Sequence, residues 1–171
     1  MTIATKRTVQ ILRELAAQVT DPEMPMMTLE DLGVLRDVKV DSSGKVTVTI
    51  TPTYSGCPAI ATMRDDLLHT LRDNGFDDVA ITVSLTPPWS SDWITERGRE
   101  ALTAHGISTP LTAPRHHGPI ALTIVPPRRA INCPRCGSKQ VEITSEFGST
   151  ACKAMYRCMA CLEPFDHIKE V

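Results

Sequence analysis

The chain has 171 residues, which is enough for one ordinary domain and a small second one. Hydrophobic residues make up 42% and charged residues 22%, a balance typical of globular proteins. No apolar run is long enough to span a membrane, and charged residues interrupt the apolar N-terminus. We therefore expect no signal peptide, no membrane partner and a cytoplasmic location.

Charge is distributed unevenly along the chain. Residues 1–105 contain ten Lys or Arg against fifteen Asp or Glu, whereas residues 106–171 contain eight against five. Four thiolates on one divalent metal would reduce the positive tail to about +1. Aromatic residues are only 4%, which leaves few platforms for stacking bases. These features disfavour nucleic acid as a partner.

Residues 1–105 show the pattern of a small α+β domain. Helical spacing over residues 7–19 ends before a rigid turn at Asp21–Pro25, and Thr28–Asp31 resembles a capping box that opens a short helical turn closed by Gly33. The elements that follow are two strands over 34–40 and 46–50 joined by a hairpin loop, a helix from Pro58 to Asn74, a strand over 79–85 and a last helix capped by Ser91 or Asp92. The order is α-β-β-α-β-α.

Residues 106–130 contain five prolines and are predicted to be a linker, with one candidate strand over 120–125. Residues 131–171 are predicted to be a small β domain with strands over 141–147 and 151–157. A domain of roughly 40 residues buries too little apolar surface to fold unaided, so it usually needs a metal or disulfides.

Two CxxC pairs bracket this tail. Cys133 and Cys136 form the first pair, and Cys158 and Cys161 form the second. In a reducing compartment such pairs indicate a metal site, and four thiolates complete the tetrahedral shell of a closed structural zinc site. We predict one structural zinc per chain; iron is the alternative, since four thiolates also suit a rubredoxin-like centre.

Cys152 is a further cysteine in the tail. On an alternating strand it would share a face with Cys158, as a small core residue or as a fifth ligand or redox partner. His116, His117 and His167 could also ligate a metal, but in a linker or a terminal strand we interpret each as a solvated side chain.

Cys57 is the one cysteine outside the tail. It precedes Pro58, which we place at the first helical position, so Cys57 would be the N-cap residue. Backbone amides and the helix dipole would stabilise a thiolate there. Cys57 is therefore a candidate reactive thiolate or transient metal ligand, or else a buried inert cysteine.

Asp21 and Glu23 are two carboxylates held in a proline-rich turn. They could cap the following helix, which is the simpler interpretation. Alternatively they could join Cys57 at a shared site that handles metal.

Three motifs in order resemble the domain shared by bacterial SufT and the eukaryotic cytosolic iron–sulfur assembly factors. They are Asp21–Pro25, Asp31–Val38 and Thr51–Pro58, and the resemblance covers residues 7–85. With Pro87–Trp93 and the cysteine-rich tail added, the whole chain resembles the PaaD-type proteins, which are encoded with the multicomponent phenylacetyl-CoA epoxidase of aerobic phenylacetate degradation.

The resemblance implies a non-enzymatic factor that helps to mature the epoxidase system. It places the family's aspartate, glutamate and cysteine on Asp21, Glu23 and Cys57, and it also matches Cys152. Cys57, Asp21 and Glu23 would handle a transient iron ion or iron–sulfur cluster, and the match at Cys152 favours a role for it beyond that of a small core residue. The implied client is the iron–sulfur flavoprotein reductase, with the di-iron oxygenase subunit second, and the zinc ribbon would dock the client.

Three other functions compete with this one. The chain could be a structural subunit of the epoxidase with a dispensable Cys57. It could be a thiol enzyme, although His69 is the only histidine in sequence near Cys57 that could act as its base. It could be a nucleic-acid-binding ribbon, which the charge and aromatic content disfavour.

Overall fold

The structure is a computed structural model that describes residues 3–111 and 130–171. The candidate strand over 120–125, His116, His117 and most of the predicted linker lie outside these residues. No described helix is both long and apolar enough to cross a membrane. The helices and strands are α1 (Ile3–Ala16), β1 (Thr20–Asp21), β2 (Met24–Thr28), β3 (Leu35–Val40), β4 (Val46–Ile50), α2 (Ile60–Asp73), β5 (Val79–Val83), α3 (Glu96–Ala104), β6 (Val141–Ser145), β7 (Lys153–Cys158) and β8 (Pro164–Ile168), with a short 3₁₀ turn at Ser91–Trp93.

The chain divides into two compact units. The first comprises residues up to Trp89 together with Trp93–Ala101, and the second comprises Ser90–Asp92 together with Leu102–Val171. The predicted α+β class is confirmed.

The first unit is a three-stranded sheet with helices on it. β4 is central, antiparallel to β3 and parallel to β5, and α2 makes the crossover that parallel pairing requires. α1 packs against β3 and α2 against β5. Met63, Leu67 and Leu71 form the buried stripe of α2 at four-residue spacing. Burying each of these side chains contributes roughly 1.5–3 kcal/mol.

A small hairpin precedes this sheet. Asp21 and Met24 pair across it, so the predicted rigid turn at Asp21–Pro25 is wrong in extent: only Pro22 and Glu23 turn, and strands flank them. The cause is the Asp21 carboxylate, whose Oδ1 accepts hydrogen bonds from the amides of Glu23 (2.7 Å) and Met24 (2.9 Å).

The predicted capping box at Thr28 and Asp31 is present. The Asp31 amide donates to Thr28 Oγ1 (3.1 Å), and the Thr28 amide donates to Asp31 Oδ2 (3.3 Å). Asp31 is 2% exposed, accepts a hydrogen bond from Thr95 Oγ1 (2.8 Å) and forms an ion pair with Arg97. The motif around Asp31 therefore joins two distant parts of the unit.

Thr95, not Ser91 or Asp92, caps α3, so that prediction is wrong. Its Oγ1 accepts a hydrogen bond from the Gly98 amide at 3.1 Å. Ser91 and Asp92 belong instead to the 3₁₀ turn, which delays the helix until Glu96.

The second unit is an antiparallel sheet in the order β6-β7-β8. Its core is the buried cluster Ile131, Cys133, Ala154, Tyr156, Cys158 and Phe165. The strands β6 and β7 are shorter than predicted because residues 146–152 form the turn between them.

Candidate metal centre and thiol loop

The four CxxC sulfurs converge in the second unit. The sulfur atoms of Cys133, Cys136, Cys158 and Cys161 all lie within 4.8 Å of one another. Cys133 Sγ is 3.8 Å from Cys161 Sγ, and Cys136 Sγ is 3.6 Å from Cys158 Sγ. A tetrahedral ion with metal–sulfur bonds of about 2.3 Å requires sulfur–sulfur separations of roughly 3.8 Å. The cluster therefore fits one structural metal ion.

Each CxxC pair forms a tight turn, called here a knuckle: Cys133–Gly137 is the first and Cys158–Leu162 is the second. The two knuckles have the same backbone conformation at their last residue. The residue after the second cysteine is left-handed in each, with φ of +73° at Gly137 and +66° at Leu162. The Gly137 amide donates to Cys133 O at 2.9 Å, and this bond closes the first turn. Gly137 adopts this conformation without strain, whereas Leu162 does so at a cost of roughly 1–2 kcal/mol.

Hydrogen bonding within the second knuckle favours a thiolate at Cys158. The Cys161 amide, which donates to Cys158 Sγ at 3.5 Å, lowers the pKa of Cys158 to about 6. The Glu163 amide favours the thiolate at Cys161 as well, but burial and the neighbouring sulfurs outweigh it and raise the pKa of Cys161 to about 12. Four like charges cannot share this space without a cation, so metal binding displaces protons.

Cys152 lies outside the four-sulfur group. It precedes β7 while Cys158 ends that strand, which separates the two by roughly 20 Å of extended chain. Its Sγ lies 3.0 Å from Thr150 Oγ1, and the side chain is half-buried in the turn. In this fold it does not reach the metal shell, and its role as a redox partner stays a prediction.

The prediction of a solvated His167 is wrong. The ring is fully buried in β8, with Nδ1 3.1 Å from Ser108 Oγ and Nε2 3.1 Å from Glu170 Oε1. The alternation of Phe165 and His167 was a signal for this strand, but the partner Ser108 lies 59 residues away in sequence.

Cys57 lies in the loop between β4 and α2, and its predicted N-cap position is wrong. The helix begins at Ile60 with Ala59 as its cap residue, because Cys57 to Ile60 first form a turn closed by the Ile60 amide and Cys57 O (3.4 Å). The side chain is half-buried. A Cβ on the adjacent Gly56 would lie 3.2 Å from the Tyr54 ring, so glycine leaves room there.

Thr51 is the first residue of the Thr51–Pro58 motif and lies at the start of the same loop. Its hydroxyl is buried and has no hydrogen-bond partner among the described residues. Such groups are uncommon in folded proteins, and only coordinates reveal them.

Asp21 and Glu23 differ in their environments. Asp21 is 4% exposed and its Oδ1 holds the hairpin turn, whereas Glu23 is exposed. The prediction that Asp21 caps the following helix is wrong, because its carboxylate holds a hairpin turn. Within the described ranges, the four tail cysteines are the only group of three or more closely spaced metal-binding side chains.

Comparison with known proteins separates two domain types in the chain. Residues 9–83 match the family described as iron-sulfur cluster assembly protein, and residues 121–169 match the PaaD zinc beta ribbon domain. A crystal structure of a domain of unknown function, DUF59, from Bacillus anthracis superposes with a TM-score of 0.55 at 25% identity, covering 58% of this chain and 95% of that one. The chain is thus an iron–sulfur assembly domain joined to a zinc ribbon.

A relative that is similar over nearly the whole chain identifies the family more closely. A putative 1,2-phenylacetyl-CoA epoxidase subunit of Escherichia coli K12 is 43% identical over 155 residues, which cover 91% of this chain and 88% of that protein. The Fe-S protein maturation auxiliary factor YitW of Bacillus subtilis is 31% identical over 86 residues, covering 50% of this chain and 83% of that protein. The chain belongs to the PaaD family.

Proposed function

We propose that this chain is an accessory maturation factor of the phenylacetyl-CoA epoxidase, acting in the cytoplasm. It would assist assembly of the iron–sulfur cluster of the reductase subunit or, second, of the iron centre of the oxygenase subunit. The observation that supports this most is the union, in one chain, of an iron–sulfur assembly domain with the PaaD ribbon.

Cys57 is the residue proposed to handle the iron or cluster. A thiolate is a soft ligand suited to iron–sulfur chemistry. Because Cys57 lies in a loop with an exposed glycine beside it, an incoming ligand can approach its half-buried sulfur. A single protein ligand binds weakly enough to release its cargo, which suits transfer to a client and not storage.

Asp21 and Glu23 are proposed to assist Cys57 through their charge. The Asp21 carboxylate is rigidly held by two amides, and Glu23 is exposed beside it. Hard carboxylate oxygens favour an iron ion over a preformed cluster. The chain itself would perform no chemical turnover of the epoxidase substrate.

The ribbon is proposed to hold one zinc ion and to dock the client. Four thiolates fill a tetrahedral shell and leave no open position, so this metal would be structural. Exposed apolar side chains on the second knuckle, Met159 (50%) and Leu162 (57%), offer a contact surface.

The direct test is co-production of the epoxidase reductase with and without this chain under anaerobic conditions. Iron and sulfide per flavin in the purified reductase should be higher with the chain. Equal cluster content in both preparations would contradict the proposal.

A second candidate is a docking component of the epoxidase complex with no metal-handling role. It is favoured by the E. coli relative, whose name is that of an epoxidase subunit. Stoichiometric co-elution with the oxygenase, together with normal cluster loading in the absence of this chain, would support it.

A further inference from the structure

Ser108, His167 and Glu170 form a continuous buried hydrogen-bonded chain in the second unit. Ser108 is 7% exposed, His167 is 0% exposed and the Glu170 side chain is 10% exposed. Since a carboxylate only accepts hydrogen bonds, Nε2–H of His167 donates to Glu170 Oε1 at 3.1 Å, and Nδ1 shares a hydrogen bond of 3.1 Å with Ser108 Oγ.

Backbone pairing reinforces these side-chain bonds. The Ser108 amide donates to Asp166 O (2.8 Å), and the Ile168 amide donates to Ser108 O (3.0 Å), so Ser108 extends the sheet beside β8. The Leu111 amide donates to Glu170 Oε1 at 3.2 Å. Residues 108–111 are thereby attached to β8 and to Glu170 beyond its end by several hydrogen bonds that involve no metal ligand.

The position of this network separates it from the metal centre. His167 pairs with Ala154 near the start of β7, whereas the metal ligand Cys158 ends β7. About 13 Å of strand separates the two levels. Tyr156 lies between Ala154 and Cys158 on β7, and its ring contacts the His167 ring edge-on, with centroids 5.6 Å apart.

We propose that Ser108, His167 and Glu170 act as a clasp that keeps one end of the ribbon folded when the metal is absent. The ribbon then has two anchors, the four cysteines at one end of β7 and the clasp at the other. Loss of metal disorders the knuckles but leaves the clasped end in place, so the metal-free chain rebinds metal without refolding the whole unit.

The test is amide hydrogen exchange on the full chain with its metal and after removal of metal by a chelator. Without metal, the amides of Gly137, Cys158 and Met159 should lose their protection, while those of Ser108 and Ile168 should keep theirs. If both sets lose protection together, the unit is a single metal-dependent structure and the proposal is wrong.

Variants show whether the clasp itself is responsible. Metal-free Ser108→Ala should exchange at Ile168 roughly 10- to 100-fold faster than the metal-free parent, because the buried His167 nitrogen loses its partner. Ser145→Ala is the matched control: it removes an exposed hydroxyl bond to Phe147 O in the same unit and should leave Ile168 unaffected. Equal exchange at Ile168 in both variants would overturn the clasp.

The metal-loaded variants must be shown to fold, by zinc content and circular dichroism. If Ser108→Ala does not fold even with metal, Glu170→Gln takes its place, since it keeps the shape and one accepting oxygen but removes the charge. It should again speed exchange at Ile168 and Leu111 in the metal-free chain. Unchanged exchange in Glu170→Gln would also overturn the proposal.

Discussion

Cys133 Sγ and Cys161 Sγ lie 3.8 Å apart although 28 residues separate them in sequence. This distance is far longer than a disulfide bond and matches two ligands of one tetrahedral ion. We predict one zinc ion per chain, measured by elemental analysis of freshly purified protein.

Cys161→Ser should bind less zinc and should lose the order of both knuckles, while the first unit stays folded. Circular dichroism and limited proteolysis measure this. Protein purified with neither zinc nor iron, yet with ordered knuckles, would contradict the metal assignment.

The close approach of Gly33 to Trp93 gives a prediction about stability. Gly33 has φ of +68°, and a Cβ there would lie 2.5 Å from Trp93 Cβ. Gly33→Ala should therefore lower the free energy of unfolding by about 2 kcal/mol or more. Gly44→Ala is the matched control, because Gly44 also has a positive φ (+93°) but a Cβ there would meet nothing within 4 Å. Equal losses of stability in the two variants would show that the Trp93 contact is unimportant.

Glu170 gives a prediction about pH. Burial by itself would raise the pKa of Glu170, but hydrogen bonds from His167 and from backbone amides lower it to about 2 from an ordinary 4.5. The ionised Glu170 carboxylate therefore contributes fully to the free energy of unfolding above about pH 4.5. This contribution is lost as the pH falls towards 2. Glu170→Gln should cost about 1–3 kcal/mol at neutral pH. The difference from the parent in urea unfolding should shrink below pH 4.5; a constant difference down to pH 2 would contradict the assignment.

Much of the first unit could be predicted from local pattern. The strand at Val46–Ile50 and the buried stripe of α2 follow from β-branched residues and four-residue spacing. The four-cysteine site followed from the CxxC spacing, which by itself brings two sulfurs onto one turn. The strand and helix signals are local, whereas the meeting of the two CxxC pairs follows from the four ligands that a tetrahedral metal ion requires.

The errors arose where distant contacts or loop geometry decide the structure. The buried state of His167 depends on Ser108, which no local pattern links to it. The start of α2 at Ile60 depends on a separate turn that begins at Cys57. Pro58 fits that turn as well as it fits the first turn of a helix, so the sequence does not show which of the two forms. Thr95 replaces Ser91 as the cap of α3 because Asp31 holds it.

Cys152 provides a prediction about specificity among the cysteines. Because it lies at the opposite end of β7 from Cys158, Cys152→Ser should retain full zinc content. If Cys152 is a redox partner, the variant should differ from the parent in sensitivity to peroxide. Loss of zinc in Cys152→Ser would show that it reaches the metal after all.

The carboxylates near the hairpin test how the proposed site works. Asp21→Asn keeps an oxygen that can accept the amides of Glu23 and Met24, so the turn should survive while the charge is lost. Glu23→Gln changes an exposed side chain with no expected loss of stability. If the carboxylates assist Cys57, both variants should load less cluster into the client at unchanged Tm. A lower Tm with normal loading would assign them a structural role only.

The most direct test of the maturation role is the cluster content of the epoxidase reductase co-produced with Cys57→Ser. The Cys57 side chain is half-buried and belongs to neither the described core nor the metal shell, so the variant should keep its fold and its zinc. Circular dichroism and zinc content are measured on the same sample. We predict that iron and sulfide per flavin fall towards the level obtained without the chain, while flavin content is unchanged. Full cluster loading by folded, zinc-loaded Cys57→Ser would remove the maturation role from Cys57 and favour the docking-component candidate.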